Sequence, residues 1–146
     1  MKTTNRDAEV EVLAWQNLQP GLTRTFEVPL TEALLDQFAA CSGDINPLHM
    51  DAEEARRRGF EGRVAHGMLL GALLSRLVGC HLPGRNALLL ASQFKFNRPC
   101  VAGETVRVEG RIDSLSEATQ TVSLSVRFLV KGEPRAGATA LAKVQK

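Results

Sequence analysis

Between Phe38 and His49 the chain reads Phe-Ala-Ala-Cys-Ser-Gly-Asp-Ile-Asn-Pro-Leu-His. A carboxylate (Asp44), an amide (Asn46) and an imidazole (His49) fall within one short stretch. Pro47 removes a backbone donor and biases Asn46 toward extended geometry, so no helix is expected across this segment. Polar groups on a short, stiffened turn can hold an acid and a base against one substrate. The same residues also suit a helix C-cap followed by a turn, with Asp44 and Asn46 satisfying backbone groups. Taken alone, both readings stand. A second segment, Arg63-Val64-Ala65-His66-Gly67-Met68, opens a long apolar helix and tips the balance toward chemistry.

The elements that must position these groups can be read on either side of them. Leu22 to Pro29 has strand composition. Thr31 is the N-cap of a helix from Glu32 to about Cys41, with Leu34, Leu35, Phe38 and Ala39 as its apolar stripe and Gly43 as its stop. Asp51 starts a short helix whose acidic residues come early and whose Arg56, Arg57 and Arg58 come late, which complements the helix dipole. Gly59 ends it. The next helix runs from His66 or Gly67 to Val78 or Gly79 and is apolar nearly all round, so burial on most sides is expected. Gly67 in its first turn lets a ligand approach the backbone. His81 is placed in a surface loop after this helix.

Strands are expected at Ala87–Asn97, Glu104–Leu115, Thr119–Lys131 and Arg135–Val144, the last three as an antiparallel meander. One strand, several helices and then four strands make an α+β layout, with one sheet around one central helix. Residues 1–21 form an N-terminal extension, either a loose tail or an added edge strand, and Trp15 argues that part of it docks. Residues 22–146 form the single domain.

Composition narrows the function classes. A chain of 146 residues builds one core. A formal charge of +2 argues against nucleic acid as a partner. Cys41, Cys80 and Cys100 cannot all pair within the chain, which fits free thiols in a reducing compartment. The charged N-terminus has no signal-peptide core, and the longest apolar stretch is too short to span a membrane, so a soluble cytoplasmic protein is expected. The histidines lack metal-ligand spacing, and no phosphate-binding glycine loop is present, so neither a metal nor a nucleotide cofactor is expected.

Ser42-Gly43-Asp44-Ile45-Asn46-Pro47-Leu48-His49, Ala55, Ala65-His66-Gly67-Met68 and Ser75 together resemble the MaoC-like, or (R)-specific enoyl-CoA hydratase, family of hot-dog proteins. Phe94-Lys95-Phe96-Asn97-Arg98-Pro99 with Gly103-Glu104 is a weaker match. The resemblance covers most of the chain from about Phe26 onward. Cys41, where the family more often has an aliphatic residue or glycine, and Glu104, where it usually has Asp, depart from the pattern.

The resemblance implies a hot-dog fold and reversible addition of water to a trans-2-enoyl thioester, giving an (R)-3-hydroxyacyl-CoA. It implies Asp44 as the base that activates the water and His49 as its partner in passing a proton to carbon 2. The backbone N–H of Gly67 is the implied donor to the thioester oxygen, and Ser75 the implied support for Asp44. Asn46 either orients the water or braces the turn. His66 is read as a capping or structural residue. Leu69, Leu73 and Val78 lie on the helix that would shape the acyl pocket, and Arg57 is a candidate phosphate contact. CoA is then a substrate carrier, no cofactor is required, and a homodimer with a continuous sheet completes the acyl tunnel. A dehydratase acting on acyl carrier protein, a hot-dog thioesterase and a non-catalytic acyl-binding subunit are the alternatives.

Overall fold

The structure is a computed structural model, and it describes residues 9–145. The first eight residues of the N-terminal extension, and the last residue of the chain, lie outside the described residues. The element order is β1 (Thr23–Pro29), α1 (Glu32–Ser42), α2 (Pro47–Met50), α3 (Ala52–Arg57), α4 (Gly67–Arg76), β2 (Ala87–Phe96), β3 (Thr105–Ser116), β4 (Thr121–Val130) and β5 (Glu133–Val144). A 3₁₀ turn at Trp15–Asn17 precedes β1, and a π-helical turn at Leu77–His81 continues α4.

The strands form one antiparallel sheet in the order β1-β3-β4-β5-β2. Strands β3, β4 and β5 are the expected meander. Their alternation puts Val106, Val108 and Ile112, then Val122, Leu124, Val126 and Phe128, on the covered face. Helix α4 lies on that face through Leu69, Leu70, Leu73 and Leu74. Gly110 in β3 leaves the space that Leu77 fills, since a Cβ there would lie 2.5 Å from Leu77 Cδ2.

The central helix departs from the sequence expectation on one side. Gly67, Met68, Ala72, Ser75 and Gly79 are exposed, so α4 is buried along one face and open along the other. A single sheet covers only one side of a helix, and among the described residues nothing covers the other. Strand β2 is similarly open: it is an edge strand, and Leu88, Leu89, Leu90 and Phe96 are all substantially exposed.

From residue 9 the extension is neither a loose tail nor a paired edge strand. The Glu11 N–H donates to Cys80 O, and Glu11 O accepts from Arg85 N, both at 2.9 Å. Val12 makes a single bridge to Gly84. Any Cβ on Gly84 would lie 2.2 Å from Glu11 O, so this crossing requires glycine. Trp15 Nε1 donates to Glu117 Oε2 at 2.5 Å, and Leu18 is in the core. His81, expected in a surface loop, is instead in the π-helical turn, with its ring 5.2 Å from Phe26 and its Nδ1 3.4 Å from Glu11. The helical path continues past Arg76 in a wider turn and carries the imidazole inward.

Candidate active site

The turn after α1 is built by its own short side chains. Gly43 is left-handed (φ +76) and its N–H donates to Ala39 O at 2.8 Å, which ends the helix. Ser42 Oγ donates to Phe38 O and accepts from Asp44 N. Asp44 Oδ1 accepts from Asn46 N at 3.2 Å, and Asn46 Oδ1 accepts from Leu48 N at 3.0 Å. Asn46 therefore braces the turn as the N-cap of α2. Pro47 does not exclude a helix here. It occupies the first helical position of α2, where its missing N–H has no intrahelical partner to lose and its fixed φ is favourable. His49 thus projects from a single helical turn.

His49 is held in one tautomer. Its Nδ1 lies 2.7 Å from Val64 O. A carbonyl only accepts, so Nδ1 carries a proton, and in the neutral ring Nε2 presents the lone pair. That lone pair faces Asp44 Oδ2 at 3.7 Å. The gap is too long for a direct hydrogen bond and suits a water shared by both groups. The His49 side chain is 14% exposed and that of Asp44 is 50% exposed.

Arg63 fixes the backbone beneath this pair. It is buried, with Nε donating to His49 O at 2.6 Å and Nη2 to Asp36 Oδ1 at 2.6 Å. Val64 N donates to Leu48 O, so two neighbouring residues clamp α2. Sequence reasoning missed Arg63 and Asp36 because they are 27 positions apart, and no periodicity marks such a pair.

A cavity of about 370 Å³ opens beside His49. Its apolar walls are Leu48, Phe60, Val64, Leu70, Phe96 and Pro99, and His66, Gly67, Arg98 and Cys100 also line it. Gly67 is the first residue of α4, so its N–H has no intrahelical acceptor and carries the positive end of the helix dipole. A side chain at Gly67 would first meet the Phe96 ring, at 3.3 Å. The glycine therefore admits Phe96 as well as leaving the backbone accessible.

The far wall is tied down by Glu104, which accepts from Val101 N and pairs with Arg135 at 3.1 Å. Burial pushes the Cys100 thiol up from its ordinary value, and Arg135 opposes that shift.

The structure does not bring every sequence candidate to the cavity. Ser75 is exposed, and among the described residues no hydrogen bond joins it to Asp44. Leu69, Leu73 and Val78 are core residues packed beneath the sheet, and Leu70 of the same helix reaches the cavity instead. Arg57 is 70% exposed, lies 3.5 Å from Glu54, and does not line the cavity. Arg98, quoted in the weaker motif but given no role from it, does line it.

One ligand atom each from Asp44, His49 and His66 lies within 4.8 Å of the others, a grouping that metal sites also show. The two imidazoles, however, are stacked at 4.1 Å with planes only 28° apart. His49 Nδ1 and His66 Nε2 are already taken by main-chain oxygens.

A helix laid on an antiparallel five-stranded sheet defines a hot-dog protein, and an aspartate–histidine pair stands at the N-terminus of that helix. The sequence model of the MaoC-like domain matches residues 16–133. The chain belongs to the MaoC-like domain family. It is 34% identical over 117 residues to an (R)-specific enoyl-CoA hydratase of Aeromonas caviae, covering 80% of this chain and 87% of that one. It is 30% identical over 138 residues to a 3-hydroxybutyryl-CoA dehydratase of Methylorubrum extorquens, covering 94% and 88%. The solved structure of an R-hydratase from Pseudomonas aeruginosa superimposes with a TM-score of 0.86 at 31% identity, over 90% of this chain and 85% of that one.

Proposed function

We propose that the protein is an (R)-specific enoyl-CoA hydratase that adds water reversibly to a trans-2-enoyl-CoA. The observation that carries this reading is the 3.7 Å gap between His49 Nε2 and Asp44 Oδ2 beside the free N–H of Gly67. Hydration needs three things at once: a base for the water, a proton for carbon 2, and a donor for the thioester oxygen.

Asp44 and the His49 lone pair hold the water between them. As its oxygen bonds to carbon 3, one water proton passes to this pair, and the alkene electrons move into the thioester as an enolate. The Gly67 N–H stabilises the enolate oxygen. A proton then returns from the pair to carbon 2, so hydrogen and hydroxyl add on the same face. Asn46 holds the turn and so the direction of Asp44.

The same reading includes a homodimer. The open β2 edge with its exposed leucines and the open face of α4 support it. Ser75 lies about 12 Å along α4 from Gly67, given 1.5 Å of rise per residue. Ser75 is exposed on the open face of α4, and in this reading it supports an aspartate of the second copy across the dimer interface. The second copy also completes the acyl tunnel, which brings further residues of α4 into reach of the chain. CoA is the carrier of the acyl group, and no metal or other cofactor takes part. Arg98, at the cavity, is better placed than Arg57 to meet a carrier phosphate. Among the described residues no helix is long and apolar enough to cross a membrane, and a cytoplasmic location is consistent with the free thiols.

The test is the ultraviolet loss of the conjugated enoyl thioester when crotonyl-CoA is added, with Asp44→Asn alongside. Loss with the wild type alone supports the hydratase. Release of free CoA from butyryl-CoA would favour a thioesterase. Turnover only of an acyl carrier protein thioester would favour the dehydratase, and no turnover of any of these would favour an acyl-binding subunit.

A further inference from the structure

His66 is the N-cap of α4, yet its side chain makes no capping hydrogen bond. It is 2% exposed. Its Nε2 lies 2.9 Å from the main-chain oxygen of Asp44. Because that oxygen only accepts, Nε2 carries the proton. The face of the ring packs on His49 at 4.1 Å, and Phe38 packs on it from α1 at 4.9 Å. The remaining nitrogen, Nδ1, is buried without a partner, in a residue that lines the cavity.

Each contact touches one half of the acid–base pair. The hydrogen bond fixes the backbone of the residue that supplies the carboxylate. The stack fixes the plane in which the His49 lone pair lies. A buried nitrogen lone pair left without a donor is destabilising, and native proteins place protein, water or ligand against such atoms. Protonating Nδ1 would not remove the problem, because it would replace an unpaired acceptor with an unpaired cationic donor against another imidazole.

We propose that His66 is a positioning residue of this site, acting as the neutral Nε2–H tautomer that holds Asp44 and His49 in register. Its Nδ1 is an acceptor for a donor group of the thioester that occupies the cavity. Acyl thioesters of the pantetheine type offer such a donor, an amide N–H four bonds from the thioester carbon. The Gly67 N–H proposed for the thioester oxygen belongs to the next residue in the chain. The inference rests on the hydratase reading above.

Three substitutions separate the roles. His66→Phe keeps the ring face and removes both nitrogens. His66→Gln places an amide N–H near Nε2 and can still donate to Asp44 O. His66→Asn offers a carbonyl near Nδ1 but does not reach Asp44 O. With crotonyl-CoA, kcat for His66→Phe is expected to fall about 100-fold, the scale of a misplaced catalytic group. His66→Gln is expected to recover about tenfold of that loss, and His66→Asn to recover little, because turnover follows the Asp44 contact.

Imidazole ¹⁵N spectra of the wild type, with His66 assigned by its loss in His66→Phe, are expected to show the Nε2–H form. Saturating butyryl-CoA, which cannot be hydrated, is expected to shift the Nδ1 signal. A merely structural residue would change melting temperature without the glutamine rescue or the Nδ1 shift. The proposal is overturned by a His66→Phe kcat within about threefold of wild type. It is also overturned by equal impairment of the Phe and Gln variants, by the Nδ1–H tautomer, or by an Nδ1 signal that ignores the thioester. A wild type that leaves both crotonyl-CoA and octenoyl-CoA unhydrated removes the hydratase reading itself, and this proposal with it.

Discussion

His49 turns its Nε2 toward Asp44 Oδ2 across 3.7 Å, because its other nitrogen is committed to Val64 O at 2.7 Å. The separation is too long for a direct hydrogen bond and leaves both groups open to a third species. Removing either should abolish chemistry without unfolding the chain, since the Asp44 side chain is half exposed and its turn keeps Ser42, Gly43 and Asn46. Asp44→Asn and His49→Ala are each expected to lower kcat by about 10²–10⁴-fold, the range for positioned acid–base groups. Steady-state hydration of crotonyl-CoA, with thermal melts of the same preparations, checks both halves. Near-normal turnover in both variants would remove the mechanism.

Arg63 holds the site from behind. Arg63→Met removes the donor to the partly buried His49 carbonyl and releases Asp36, which is exposed enough to hydrate. One unsatisfied buried acceptor is expected to cost about 1–3 kcal/mol. At about 2–4 °C per kcal/mol, the melting temperature should fall visibly. The kcat should fall with it, because α2 is no longer clamped. A variant that melts like wild type and turns over normally would show that the Val64 N–H to Leu48 O bond is sufficient alone.

Much of this was legible in the sequence, for physical reasons. Local signals survived intact: the Thr31 cap, the Gly43 stop, the Asp51 cap and the period-two alternation of β3, β4 and β5 depend on neighbours in the chain. The aspartate and histidine were legible because six residues carry both. The role of Pro47 was misjudged, because a proline that breaks a helix interior is favourable at its first position. The Arg63–Asp36 pair and the His66 stack join segments far apart in sequence, and no local pattern encodes them. The open face of α4 was hidden for another reason. Hydrophobicity marks a helix as apolar, but not whether its own sheet or another molecule covers it.

That open face bears on assembly. Leu89 lies on the exposed β2 edge, at a register irregularity that leaves Leu90 outside the ladder with β5. Leu89→Glu places a charge in the proposed dimer interface, where an unpaired buried charge is strongly unfavourable. The variant is expected to run as a monomer in sedimentation or light scattering and to lose turnover, because the tunnel is then half formed. Ser75→Ala should keep the dimer and reduce turnover less than Asp44→Asn does. A fully active Leu89→Glu monomer would refute the shared tunnel.

The thiols give a test that does not depend on catalysis. Cys41 is exposed, Cys80 is intermediate and Cys100 is buried in the cavity wall. Burial raises the Cys100 thiol above its ordinary value of 9.0, so the folded protein holds this proton more tightly than the unfolded chain. The resulting stability is fully present below pH 9.0 and is lost as pH rises from there through the higher folded value. Thiolate is the reactive form, so iodoacetamide at neutral pH should label Cys41 first and Cys100 last. Mass spectrometry of timed samples reads the order. Butyryl-CoA in the cavity is expected to slow Cys100 further and leave Cys41 unchanged. Rapid labelling of Cys100 at neutral pH, unaffected by the thioester, would mean that the cavity wall opens freely or that the acyl group binds elsewhere.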